Sequence, residues 1–76
     1  MSDSEIDEAI LAVVQPLWRK LAMIILQTAE KLGGGDFDRH AGHIMIAKRV
    51  NSLVESGRLV AQGEVGRWRN AEIRLP

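Results

Sequence analysis

The sequence predicts a mainly α domain that closes on a β-hairpin, an α+β single domain of three helices. Two observations carry that expectation. Apolar residues recur at helical spacing in three successive segments, and glycine stands where the second and third of them stop. In RVNSLVESGRLVAQGEVGRWRNAEIRLP, Arg49 to Pro76, the helical rhythm then gives way to the alternation of paired strands. With 76 residues and 46% hydrophobic content, the chain holds enough apolar material for one core in one domain.

The first helix is expected over about residues 4–15. Ser2 and Glu5 stand in S-x-x-E spacing, so the hydroxyl can satisfy one unpaired helical N–H and the carboxylate another. Asp3, Glu5, Asp7 and Glu8 crowd the first turn, where the positive end of the helix dipole favours carboxylates. This is the pattern of a charged helix start rather than of a paired-carboxylate active site. Ile6, Ile10, Val13, Val14 and Leu17 fall on one core-facing stripe. Pro16 cannot donate to the preceding turn and biases Gln15 toward extended backbone, so the helix is expected to break there, a kinked continuous helix being the competing arrangement.

The second helix is expected over about 16–32, with Pro16 in its first turn. Leu17, Leu21, Ile24, Ile25, Thr28 and Leu32 share one side, widened by Trp18, Ala22 and Ala29. Arg19, Lys20, Gln27, Glu30 and Lys31 remain as a polar strip, interrupted by Met23. Gly33, Gly34 and Gly35 close it. Asp36 or Asp38 can cap the next helical segment, and Asp36 to Gly42 can form a short turn of its own. The third helix is expected over about 42–57, with Ile46, Val50, Leu53 and Val54 inward and Gly57 as its stop. The hairpin occupies about 58–75: Leu59 and Ala61, then Ala71, Ile73 and Leu75, alternate with polar residues, while Gly63 and Gly66 suit a bulge or the bend into the tip.

Several classes of function are bounded by composition. The chain has no cysteine, hence neither a disulfide framework nor a thiolate metal site. The acidic start MSDSEIDEAI lacks a basic leader, and the apolar run in LAMIILQTAE is too short to span a bilayer, so a cytoplasmic protein without a membrane partner is expected. Formal net charge is zero, yet residues 1–39 carry seven acids and four bases and residues 40–76 three acids and six bases, giving halves of −3 and +3.

Helices leading into a two-stranded wing are the winged helix-turn-helix plan, with the third helix placed to read a major groove. The motifs LWRKLA, RVNSLVESGRL and NAEIRLP also resemble a bacterial family of C-terminal domains of unknown function. The likeness runs from Trp18 to Pro76, and its most specific parts are R-V-x-x-L-V-x-x-G-R-L and the terminal E-I-R-L-P. In that family the segment commonly sits behind another domain. Here little sequence precedes it, and the usual upstream partner is expected to be missing. The resemblance implies a winged-helix-like fold and no activity.

Double-stranded DNA is one candidate partner. With the third helix's stripe inward, Ile44, Lys48, Asn51, Ser52 and Glu55 turn outward; Lys48 can meet a phosphate and Asn51 can pair with adenine. Glu55 lies one turn from Asn51 and opposes the backbone charge, and Ile44 is out of place on a base-reading face. Arg67, Trp68 and Arg69 at the wing tip can enter a minor groove or grip phosphates, with Arg58 and Arg74 adding to that side. In the alternative arrangement Trp68 folds back on the sheet and the arginines bridge to Glu64 and Glu72.

A protein partner or a second copy is the other candidate. Trp18, Met23, Ile44 and Met45 are apolar residues without evident core duty, and together they can form a covered interface. Catalysis finds little support. Asp36, Asp38, His40 and His43 include ligand types for a divalent ion, but no H-E-x-x-H and no further histidine complete a common set. GGGD lacks the lysine and hydroxyl of a phosphate-binding loop, and no serine or cysteine nucleophile motif occurs. The expectation is a non-enzymatic module without catalytic residues, metal, cofactor or small-molecule substrate. Protein interaction or homodimerisation comes first and DNA binding second.

Overall fold

The computed structural model describes residues 2–33, 40–63 and 70–76. In order they form α1 (Asp3–Val13), β1 (Arg19–Lys20), α2 (Leu21–Lys31), α3 (His40–Glu55), β2 (Val60–Gln62) and β3 (Glu72–Arg74). The result is a small α+β domain in which three helices share one core with a three-stranded antiparallel sheet of order β1-β3-β2.

Ser2 caps α1: its hydroxyl accepts from the Glu5 backbone N–H at 3.3 Å and donates to the Glu5 carboxylate at 3.3 Å. The helix buries Ile6, Ala9 and Ile10 and ends at Val13, where Val14 turns to extended backbone while its own side chain stays in the core. At the end of α3, Gly57 takes φ +83°, the Gly57 N–H donates to the Val54 carbonyl and the Arg58 N–H to the Leu53 carbonyl. That is the doubly bonded glycine stop which lets the chain leave a helix without orphaning its last carbonyls.

The stretch around Pro16 departs from expectation. The second helix begins at Leu21, not at residue 16, and Arg19 and Lys20 belong to a strand rather than to a helical polar strip. Proline's missing N–H and the extended bias on Gln15 stop α1, as anticipated. The released backbone groups then pair with β3 instead of starting a new helix. Arg19 lies opposite Ile73 and Lys20 opposite Glu72. The Leu75 N–H donates to the Gln15 carbonyl and the Leu21 N–H to the Ala71 carbonyl, both at 3.0 Å, and frame this short ladder. The hairpin therefore gains a third strand. Leu17, expected in the core, is 66% exposed, and Trp18, expected to widen the buried side of α2, is 39% exposed.

The third helix starts at His40, earlier than residue 42, and ends at Glu55. Its stripe is as expected: Ile46, Val50 and Leu53 are buried against Leu21, Ile24, Ile25 and Ala29 of α2 and the α1 residues. Leu59, Ala71 and Ile73 close the core from the sheet side, with Ala61 and Leu75 packed against it. The β2–β3 ladder pairs Val60 with Arg74, Ala61 with Ile73 and Gln62 with Glu72.

Candidate functional site

The outward side of α3 presents Lys48, Asn51 and Glu55, all exposed. Helical spacing puts them on one face, and there the Asn51 side-chain amide donates to the Glu55 carboxylate at 3.3 Å. The group expected to read adenine is thus turned toward an acid. Ile44, expected outward, is half-buried, whereas its neighbour Met45 is exposed.

Arg49 is withheld from that face. Its Nε and Nη2 donate to the two carboxylate oxygens of Asp7 at 2.9 Å each, and Nη1 donates to Asp3 at 3.4 Å. The hydrogen bond to Asp7, aided by the nearby negative charges and opposed by partial burial, holds the Arg49 guanidinium above its ordinary pKa. This fork binds α3 to α1. It also removes a cation from the surface that a phosphate backbone would meet.

Arg67, Trp68 and Arg69 lie outside the described residues, as do Glu64 and Gly66. At the described base of the hairpin, Glu72 accepts from the Gln62 side-chain amide at 2.7 Å. Arg74, expected to add to the side of the hairpin tip, stands at the described base of the hairpin. It lies on the sheet, its guanidinium carbon 5.1 Å from the centroid of the Trp18 ring. Since Arg19 faces Ile73 and Lys20 faces Glu72, continuing the register sets Trp18 beside Arg74 on the side of the sheet away from Ile73. There Nη1 donates to the Leu75 carbonyl at 3.3 Å, whereas Nε is sheltered and has no acceptor.

Of the apolar residues singled out for protein contact, Trp18, Met23 and Met45 are exposed and Ile44 is half-buried. They come from three places: the approach to β1, the outer side of α2, and α3. Leu17 and Leu26 join the exposed set and carried no such expectation. Leu26 had a readable signal, because it stands three residues from Met23 on the same outward side of α2.

A shallow cleft of about 150 Å³ is lined by Ser4, Asp7, Glu8, Leu11 and Arg58, well below the usual range of small-molecule sites. The Asp7 carboxylate there is already engaged by Arg49. Among the described residues no three His, Cys, Asp or Glu side chains gather as a metal site; Asp36 and Asp38 lie outside them. No helix among them is long and apolar enough to cross a membrane. No family model, no curated protein and no solved structure matches the chain, so the case for function rests on these side chains and their neighbours.

Proposed function

We propose that this chain is a non-enzymatic binding module on the winged-helix plan, related to the bacterial C-terminal domains its motifs resemble, and that it works in the cytoplasm through contact with protein. Its partner is a second copy or another chain. The observation that carries this reading is the set of large apolar side chains left exposed: Leu17, Trp18, Met23, Leu26 and Met45. A domain of 76 residues has few apolar groups to spare from its core. Each exposed one contributes about 25 cal/mol per Å² once a partner covers it. Sedimentation of the free protein across a concentration series tests self-association. Mass rising with concentration, and falling back in a Met23→Glu, Leu26→Glu variant, is the expected result. A monomer throughout excludes the second copy and leaves a different chain as partner.

Duplex DNA is the second reading, favoured by the order of elements and by Lys48 and Asn51 on the outward side of α3. Glu55 and the commitment of Arg49 to Asp7 count against it. It requires salt-sensitive binding of mixed-sequence duplex that the double variant Arg67→Ala, Arg69→Ala abolishes. Absence of binding at low salt would eliminate it.

A further inference from the structure

We propose that Trp18 and Arg74 form a docking platform on the outer side of the sheet for a segment of another protein that carries a carboxylate beside an apolar residue. This rests on the protein-contact reading above and names both the partner's chemistry and the place where it binds. Arg74 has no carboxylate partner among the described residues, in contrast with Arg49, which has two. One side of its guanidinium is covered by the Trp18 ring, its Nε is shut off from water without an acceptor, and Nη1 reaches only the neighbouring Leu75 carbonyl. With Nε closed off, only the Nη end can meet a partner. The Nη2 end and the second Nη1 hydrogen remain for a carboxylate, to which the planar guanidinium can donate end-on through two parallel hydrogen bonds.

The surroundings specify the rest of the partner. Lys20 is exposed one residue beyond Arg19 on β1 and adds a second positive charge, while Val60 lies across from Arg74 in the ladder and supplies apolar floor. Leu17 projects at 66% exposure directly before Trp18, at 39%. An aliphatic or aromatic side chain placed there would cover Leu17 and the open side of the indole while its acid meets Arg74. Nucleic acid fits less well. Glu72, opposite Lys20 and on the same side of the sheet as Arg74, offsets one of the two cations and leaves the face a net charge of +1, enough to meet one acid and little for a run of phosphates.

Selection of short random linear peptides displayed on phage, run in parallel on the wild type and on Arg74→Gln, tests the proposal. Enriched peptides should carry Asp or Glu next to an apolar residue. A synthetic copy should shift the Trp18 indole and Arg74 Nε–H resonances saturably, lose affinity about tenfold or more on Arg74→Gln, and fail to bind when its acids are changed to amides. Should Arg74→Gln not fold, Leu17→Asp serves instead, because that side chain is mostly solvent-exposed in the native state. Peptides without acids, or peptides whose binding survives both variants, would overturn the platform while leaving protein contact through another surface intact. No enrichment would overturn the platform, while the sedimentation series decides self-association separately. A mixed-sequence DNA duplex that moves the same two resonances more strongly than any selected peptide would overturn the assignment to protein.

Discussion

Thr28 sits in the core at 0% exposure, and its hydroxyl has no hydrogen-bond partner. A buried hydroxyl left unpaired costs roughly 1–3 kcal/mol. Thr28→Val, which keeps the branched shape, is therefore expected to stabilise the fold by about 1 kcal/mol, measured by urea unfolding; a lower midpoint would show that the hydroxyl is satisfied in solution. Helical spacing alone marks Thr28 as buried. That its oxygen is orphaned depends on which groups face it from other elements, and spacing carries no such information. Gly63 is a similar case at the hairpin. Its place suggested a bend, and its φ of +82°, with a Cβ directed into the Asn70 carbonyl oxygen, makes the requirement for glycine strict. Gly63→Ala is expected to cost about 1–3 kcal/mol by the same assay, whereas a neutral result would mean the backbone relaxes there at little cost.

Pairing between elements explains both the stability of the packing and the largest departure from expectation. Asp7 and Arg49 are 42 positions apart and form the fork that holds α1 on α3. Asp7→Asn should lower the thermal midpoint, while Asp3→Asn, which removes a longer contact made by a side chain 73% exposed, should leave it nearly unchanged. The pKa of Arg49 is raised, so its contribution is present at every pH below arginine's ordinary value and disappears only as pH climbs through the raised one. The difference in midpoint between wild type and Arg49→Ala should therefore be flat from about pH 7 to about pH 10, and a fall within that range would contradict the pairing. Ile73 is the central residue of the sheet, opposite Arg19 on one side and Ala61 on the other, and is fully buried. Ile73→Ala is expected to cost about 2–5 kcal/mol, a large share of what so small a domain has.

At the scale of the whole molecule the proposed function rests on the surface. Its described surface exposes Leu17, Trp18, Met23, Leu26 and Met45. An interface of ordinary size takes about 800 Å² from each partner, close to a sixth of the 4641 Å² available here. Association would thus protect a substantial part of a thinly stabilised fold. Leu17→Asp provides a clean separation of the two roles: its thermal midpoint should match the wild type, because the side chain is already in water, while binding of the selected peptides should be lost. A drop in stability would instead place Leu17 within the folded packing.

The order of α1, α2, α3 and hairpin, the inward stripe of α3 and the glycine stop at Gly57 were all legible along the chain, since each depends on the spacing of neighbours within a few residues. Pro16 likewise announced a break, but the strand beyond it carried no local sign. Residues 16 to 20 have an apolar pattern that suits a helix, yet their backbone groups reach β3, more than fifty residues away in sequence, and that long-range ladder outweighs local preference. The same ladder turned Leu17 and Trp18 outward and brought Arg74 onto the indole. Periodicity can assign side chains to a face, but only the assembled core determines which faces are still open to a partner.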